Sequence, residues 1–249
     1  MDDAILRARL WDGFARLQAL LGGHAAGGAV VEMPGLTGSV VPRALDSPTL
    51  NAIVVQDAEH AMAQLADVEA MFQHAGVRRW GVWVEGEARA ATNVLRKSGL
   101  SMTAASPGMG AEIEAVEPLG GDDADPADLQ IVGKVNDLAY GNRDHRLERT
   151  LSPLPPNALN AYRVDKRGRA KAVALALHHG EDCGVSFVAT TPDARRQGLA
   201  ARVMAKALKD ARAVGCTTTT LQATEVGERL YKALGYRHLC SMELWEKRR

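Results

Sequence analysis

The sequence predicts an α/β protein whose two halves have a similar order of elements. In residues 51–116, short β-branched or aromatic runs alternate with stretches of helical periodicity in the order β-α-β-α-β. The same order recurs from residue 184 to the C-terminal end. Between the halves, residues 118–126 contain two glycines, three aspartates and a proline at each end, which is typical of a linker. We therefore predict an N-terminal domain at 1–117, a linker at 118–126 and a C-terminal domain at 127–249.

The N-terminal half begins with a predicted amphipathic helix that Gly22 and Gly23 end. Its apolar residues recur at helical spacing, namely Ile5, Leu6, Leu10, Phe14, Leu17 and Leu21. The glycine-rich segment that follows comes after a helix and not after a strand, so it is interpreted as a loop. The later predicted elements are a strand at 51–56, a helix at 58–75, a strand at 77–84, a helix at 87–98 and a strand at 111–116.

The C-terminal half begins with a predicted helix at 127–140. A hairpin follows at 158–164 and 170–178, and then a strand at 184–190 and a helix at 197–214. A strand at 217–223, a helix at 226–234 and a last strand at 239–245 complete this half. When Gly76 is set against Gly215 and Gly99 against Gly235, strands match strands and helices match helices. This match favours an internal duplication, although helix-ending glycines could also coincide by chance.

Composition and charge narrow the function classes. Thirty basic residues balance thirty acidic ones, so the chain lacks the positive field with which proteins hold nucleic acid. No apolar run approaches the roughly 20 residues that a membrane span needs, and we expect no membrane partner. Cys183, Cys216 and Cys240 lie far apart, which argues against a disulfide framework or a metal site and favours a reducing cytoplasm.

The strongest chemical signal is a strand that passes through a polar turn into a helix. Val188, Ala189 and Thr190 end the strand, and the helix start contains Arg195, Arg196, Gln197, Gly198, Leu199 and Ala200. The first amides of a helix have no intrahelical acceptor, and the helix dipole favours an anion there. Gly198 allows the backbone to approach a pyrophosphate closely. Neither a Walker lysine nor a Rossmann glycine triplet is present, so other nucleotide sites are not supported.

This run resembles the pyrophosphate loop of the GNAT superfamily of N-acetyltransferases, whose pattern is R/Q-x-x-G-x-G/A. A second motif of the same superfamily matches further on, where Tyr231 stands four residues before the Gly235-Tyr236 pair. The resemblance covers residues 161–249 well and residues 127–160 loosely. It implies a mixed, mostly antiparallel sheet flanked by helices, with the strands that end at Thr190 and Ala223 splaying apart.

The resemblance also implies the activity, which is transfer of an acetyl group from acetyl-CoA to a primary amine by direct attack on the thioester. The cofactor-binding residues would be Val188, Ala189, Thr190, Arg195, Arg196, Gln197, Gly198, Leu199 and Ala200. Tyr231 would be the general acid that protonates the leaving thiolate, and no metal is needed. The alternative is a regulatory module that binds acyl-CoA without turnover. Small amines, antibiotics and protein N-termini all stay open as acceptors, and the resemblance is compatible with a homodimer.

Other candidate residues are weaker. His178, His179, Glu181 and Asp182 cluster at a hairpin tip, but such tips are usually solvated, so the general base is assigned to water. Residues 140–143 follow the helix that borders the acceptor pocket in the superfamily. The N-terminal half has no matching loop at residues 56–61 and has Leu95 in the place of Tyr231. We therefore predict a second, degenerate GNAT-like unit that has no cofactor site.

Overall fold

The computed structural model describes residues 1–117 and 120–248. Pro118 and Leu119 of the predicted linker and Arg249 of the predicted C-terminal domain lie outside the described residues. The chain divides into two compact units. The C-terminal unit comprises Met1–Leu10 and Met109–Leu239, and the N-terminal unit comprises Trp11–Gly108 and Cys240–Arg249. The domain bounds drawn from the sequence stay a prediction.

The N-terminal unit consists of six sheet strands, two of them shared in part with the other unit, and helices packed on them. Its elements are most of α1 (Asp3–His24), β1 (Ala29–Met33), β2 (Leu36–Val40), β3 (Ala52–Val55), α2 (Ala58–Ala63), α3 (Leu65–His74), β4 (Arg79–Glu85), α4 (Arg89–Lys97), the first part of β5 (Ser101–Glu112) and most of β11 (Arg237–Arg248). The strand order is β1-β2-β3-β4-β11-β5. From β1 to β11, β3 and β4 run parallel and the other neighbours are antiparallel.

The C-terminal unit has the same plan. Its elements are β6 (Asp125–Pro126), α5 (Leu129–Tyr140), α6 (Arg146–Leu151), β7 (Asn160–Lys166), β8 (Arg169–His179), β9 (Asp182–Thr190), α7 (Leu199–Ala213), β10 (Thr218–Gln222) and α8 (Glu225–Ala233). The strand order is β6-β7-β8-β9-β10-β5. Here β7, β8 and β9 are antiparallel neighbours, and β9 runs parallel to β10.

The two units therefore share one topology. In each, an antiparallel series of three strands is followed by a parallel fourth, and helices connect the third strand to the fourth and follow the fourth. The prediction of a mixed, mostly antiparallel GNAT-like sheet with a related N-terminal half is confirmed. Each unit also encloses its own apolar core, in which Phe72 stacks on Trp80 in the N-terminal unit and Met204 of α7 is fully buried in the C-terminal one.

Most predicted elements are present, but five details differ. The β1–β2 hairpin and α6 were not predicted. The helix expected at 58–75 is two helices, because the Gln64 amide bonds to the Ala61 carbonyl three residues back and tightens the turn. The strand expected at 111–116 is wrong: β5 ends at Glu112, and Ile113–Ala115 is a 3₁₀ turn. Within the segment predicted as linker, Asp125–Pro126 pairs with β7.

Candidate active site

The site is built at the carboxyl ends of β9 and β10. Because parallel strands end at the same edge of a sheet, the helix starts that follow them lie at that edge too. The pairing of β9 with β10 runs from Asp182 to Val185, whereas β9 continues to Thr190. In the described residues, the backbone of 186–190 thus has no paired residue on β10. This is the separation of strands that the resemblance implies.

A β-bulge lies in the part of β9 that pairs with β8 but not with β10. Its register with β8 passes from Val173↔Ala189 to Leu175↔Ser186, so Phe187 and Val188 stand opposite the single residue Ala174. Phe187 has φ 52°, which is uncommon for a residue with a bulky side chain. Bulges re-aim backbone groups and are frequent beside active sites. The sequence contains no signal for this one, because no glycine marks it.

The loop after β9 leads into an uncapped helix. Pro192–Ala194 forms a 3₁₀ turn, and α7 starts at Leu199 without a side-chain hydrogen bond at its N-cap, Gly198. Arg196 and Gly198 have φ 58° and 74°. A side-chain carbon placed on Gly198 would meet no atom within 4 Å. The helix start is therefore open on the outside and presents unpaired amides, which is an arrangement that binds anions.

The only carboxylate of the loop, Asp193, is already paired. It accepts hydrogen bonds from Lys171 Nζ and Thr191 Oγ1, each at 2.6 Å. The hydrogen bond from Lys171 holds the pKa of Asp193 below its ordinary value, so the group stays ionised and bound to the lysine. Lys166 and the Asp193 carbonyl hold Gln197 in place. The loop is thus ordered by its own side chains, and its acid is neutralised.

Arg195 and Leu199 turn away from this open face. Arg195 Nη2 donates to the Ala139 carbonyl at 2.8 Å, and its Nε donates to the Thr190 carbonyl at 3.4 Å. A cation at the last carbonyls of α5 also suits the dipole of that helix. Leu199 is 6% exposed and packs in the core. Both residues were predicted as cofactor-binding, and that stays a prediction; the Arg195 side chain is bonded to two backbone carbonyls and the Leu199 side chain packs in the core.

Tyr231 on α8 is buried at the same edge. Its side chain is 6% exposed and packs against Tyr236 with ring centroids 5.7 Å apart. A side-chain carbon on Gly227 would lie 3.2 Å from Tyr231 Cε2, so the ring points back along α8 towards its start. Burial raises the pKa of Tyr231, and nearby Tyr140 raises it further, so the phenol stays protonated. In the described chain its hydroxyl has no hydrogen-bond partner.

The corner between α5 and α6 presents Tyr140 beside these groups. The buried carboxylate of Asp137 accepts hydrogen bonds from the Leu147 and Glu148 amides at 3.3 and 2.9 Å and thereby fixes the start of α6.

Tyr140 is 56% exposed. Partial burial raises the pKa of Tyr140, and the positive charge of Arg195 opposes this rise. The predicted acceptor-side residues 140–143 therefore begin with a phenol that is close to both Arg195 and Tyr231.

The histidine and acid cluster lies at the other end of β9. Eight residues at about 3.3 Å each separate Asp182 from Thr190, which is roughly 26 Å. Asp182 is fully buried and accepts hydrogen bonds from Thr218 and Thr220 hydroxyls, each at 2.6 Å, and His179 Nε2 lies 3.3 Å from it. The view of this tip as solvated is wrong for these two residues. Both residues therefore lie at the end of β9 that is opposite the loop.

In the N-terminal unit the corresponding edge is closed. The pairing of β3 with β4 continues to Val54, one residue before β3 ends, and β3 pairs with β2 without a bulge. The side chain of Asp57 caps α2 by accepting hydrogen bonds from the Glu59 and His60 amides at 3.0 and 3.2 Å. Leu95, in the place of Tyr231, is fully buried in the apolar core.

The comparisons with known proteins agree with this geometry. Residues 147–236 match the family model described as the acetyltransferase (GNAT) family. These residues form a domain of that family, whose members transfer an acetyl group from acetyl-CoA. The C-terminal unit that contains them is called the GNAT domain from here on. A search of curated protein sequences finds no match.

Solved structures extend the likeness to the whole chain at the level of the fold. A GCN5-related N-acetyltransferase from Kribbella flavida is 22% identical, with a TM-score of 0.69 over 96% of this chain and 94% of that one. A tandem GNAT protein from the clavulanic acid biosynthesis pathway is 12% identical, with a TM-score of 0.58 over 96% and 95%. A GCN5-related N-acetyltransferase from Sphaerobacter thermophilus is 14% identical, with a TM-score of 0.57 over 86% and 76%.

Within residues 1–117 and 120–248, no group of three or more His, Cys, Asp or Glu side chains is placed to hold a metal ion. Over the same ranges, no helix is both long and apolar enough to cross a membrane.

Proposed function

We propose that the GNAT domain is an N-acetyltransferase that transfers the acetyl group of acetyl-CoA to a primary amine by direct attack. One observation carries the proposal: an uncapped helix start, a strand edge without a partner and a protonated, buried tyrosine meet at one edge of the sheet. The uncapped helix start can bind a pyrophosphate, and the unpaired strand edge can form hydrogen bonds with the amides of a pantetheine arm. The tyrosine can donate a proton.

The loop supplies the anion-binding part of the proposed site. The amides of residues 196–200 would hold the pyrophosphate, and Gly198 leaves the space for it. Val188, Ala189 and Thr190 would pair with the amides of the pantetheine arm through the backbone that β10 leaves free. We propose that Arg195 holds the loop in place, because its guanidinium donates hydrogen bonds to the Ala139 and Thr190 carbonyls.

The reaction requires a neutral amine, an oxyanion donor and a proton for the leaving group. The amine nitrogen attacks the thioester carbonyl, and the resulting oxyanion is stabilised by the Val188 amide at the bulge. The intermediate collapses to the amide product as the carbon–sulfur bond breaks. Tyr231 donates its proton to the departing sulfur, water accepts the proton of the amine, and solvent restores the phenol. Because a phenol is a weaker acid than a thiol, we expect donation to accompany the bond breaking and not to precede it.

The second candidate function is a module that binds acyl-CoA without turnover. It shares the loop but does not require a proton donor, so Tyr231 favours the enzyme. The acceptor is an amine of unspecified identity, and no feature of the described surface favours nucleic acid or a membrane. Cys183, Cys216 and Cys240 are buried, and we propose the cytoplasm as the compartment.

The test is CoA release from acetyl-CoA in the presence of a library of primary amines. We expect at least one amine to give a stoichiometric acetylated product, identified by mass spectrometry. The Gly198→Trp protein, which should not bind CoA, is the control for contaminating enzymes. Saturable CoA binding without product from any amine would favour the binding module, whereas absence of CoA binding would refute both.

A further inference from the structure

The N-terminal unit contains a pocket that the proposed function does not use. It encloses about 390 Å³, within the range of small-molecule sites. It lies between α4, the end of β4 and the strands β11 and β5. The lining residues that matter for its chemistry are Arg89, Thr92, Arg96, Ser101, Met102 and Trp245.

Helix α4 presents positive charge to this pocket. Arg89, Thr92 and Arg96 are spaced by three and four residues, which places them on one face of the helix. The N-cap residue Ala88 provides no side-chain hydrogen bond, and the first turn has no acidic residue. The helix dipole therefore adds to the charge of Arg89 at the same end. In the described part of the chain, no carboxylate pairs with the Arg89 guanidinium.

Arg96 has contacts both across the pocket and on its own helix. Its guanidinium carbon lies 5.3 Å from the centroid of the Trp245 ring in the opposite wall, and its Nη1 donates to Asn93 Oδ1 of α4 at 3.0 Å. With Nη1 bonded to Asn93, the Nε and Nη2 groups of Arg96 are the donors that can fit a carboxylate or phosphate with two hydrogen bonds. The pocket also contains the Glu243 carboxylate, which accepts from Trp245 Nε1 at 2.9 Å. Two guanidiniums and one carboxylate, which is already hydrogen-bonded, thus line the pocket.

The pocket is separate from the degenerate cofactor edge of the same unit. Its lining comes from α4, β5, β11 and Gly86, and includes nothing from β3 or α2, which correspond to β9 and α7 of the GNAT domain. The Thr92 hydroxyl already donates to the Arg89 carbonyl at 3.2 Å, so the Ser101 hydroxyl is the hydroxyl donor, while Leu100 and Met102 provide an apolar patch. This combination of two cations, one hydroxyl donor and a small apolar surface suits a compact organic anion.

We propose that this pocket binds a small organic anion, with its carboxylate or phosphate group between Arg89 and Arg96 and its apolar part against Leu100 and Met102. The site is independent of acetyl-CoA binding in the GNAT domain. It gives the N-terminal unit a ligand of its own, although the helix start that corresponds to the cofactor loop is filled by Asp57.

Isothermal titration of the full chain with three probes of similar shape tests the proposal. Benzoate and phenyl phosphate carry the two anionic groups, and benzamide has the ring without the charge. We expect one saturable site per chain for at least one anion and none for benzamide. The anion that binds more tightly identifies the preferred group. Arg89→Gln removes a side chain without a described ion pair, so it should fold normally and weaken binding by about tenfold.

Matched variants distinguish this pocket from the CoA loop and from nonspecific attraction of anions to α4. Lys97→Gln removes a charge from the same helix outside the pocket lining and should leave the affinity unchanged. Gly198→Trp should also leave it unchanged, whereas loss of phenyl phosphate binding in that variant would place the anion at the CoA loop and overturn the proposal. Absence of anion binding at millimolar concentration, equal affinity for benzamide, or undiminished binding by Arg89→Gln would each overturn it as well.

Discussion

The two units share one strand order but differ at one edge of the sheet. In the GNAT domain, β9 extends five residues beyond its last pair with β10, is bulged at Phe187 and leads into a helix with no cap. In the N-terminal unit, β3 is paired almost to its end, and Asp57 caps the helix that follows. The fold is therefore not what distinguishes a possible cofactor cleft from a closed edge. A longer strand, one bulge and the residue at the helix start make the difference.

The largest expected effect comes from filling the open helix start of the GNAT domain. Gly198→Trp should abolish CoA binding, because the space beside this glycine is where we place the pyrophosphate. Calorimetry or thermal stabilisation by CoA measures this. Gly215→Trp is the matched control, since Gly215 also has a positive φ and open space but lies after the far end of α7. Both variants carry similar backbone strain, so unchanged CoA affinity of Gly198→Trp would refute the loop assignment.

The next effect concerns Tyr231, whose place in the N-terminal unit is taken by Leu95. Tyr231→Phe should lower the rate of acetyl transfer by about 100- to 10,000-fold, the usual range for general acid catalysis, with CoA affinity nearly unchanged. Stability should also be kept, because the hydroxyl has no hydrogen bond in the described chain. Pre-steady-state measurement with a good acceptor avoids masking by product release.

A control variant and the pH dependence of the rate test the role of Tyr231 further. Tyr236→Phe removes a hydroxyl that is hydrogen-bonded to Thr219 at 2.9 Å, so it should cost stability and leave the rate alone. Burial raises the pKa of Tyr231, so its hydroxyl keeps its proton as pH rises. Loss of that proton should therefore not lower the wild-type rate at any pH up to about 10. A near-normal rate in Tyr231→Phe would show that the proton comes from elsewhere.

The sequence predicts the order of helices and strands well, for a physical reason. Helix stops at Gly76, Gly99, Gly215 and Gly235 leave a local signature, since each needs a positive φ. The bulge at Phe187 was not predictable, because it arises from strand pairing and uses a residue of ordinary strand type. The β1–β2 hairpin did have a signal that was missed: Met33 pairs with Leu36 around Pro34-Gly35, a turn dipeptide.

A smaller effect tests whether Arg195 contacts the cofactor or positions the loop. Arg195→Ala removes the hydrogen bonds to the Ala139 and Thr190 carbonyls, so we expect a lower Tm and a loss of CoA affinity of about tenfold or less. Arg196→Ala is the control, because that side chain is exposed and has no hydrogen-bond partner in the described chain. It should leave the Tm unchanged. A larger loss of CoA affinity in Arg195→Ala, with no change in Tm, would contradict the positioning role.

The smallest effect comes from removing the cap of α2 in the N-terminal unit. Asp57→Ala frees the Glu59 and His60 amides and should lower the Tm by about 2–4 °C. Hydrogen bonds from the His60 amide and ring lower the pKa of Asp57, so the stability it contributes is present above its unfolded pKa and is lost as pH falls through the folded value. The Tm difference between wild type and Asp57→Ala should therefore shrink in acid.

The same cap tests whether one residue alone closes the N-terminal unit to cofactor. Asp57→Asn keeps an oxygen acceptor and should retain the cap at neutral pH with less pH dependence, so it serves as the control for Asp57→Ala. Freed amides should still not suffice for CoA, because β3 lacks the bulge and the unpaired edge of β9. In the Gly198→Trp background, we accordingly expect Asp57→Ala to bind no CoA, and one CoA bound per chain would show that the cap residue by itself had closed a second cofactor site.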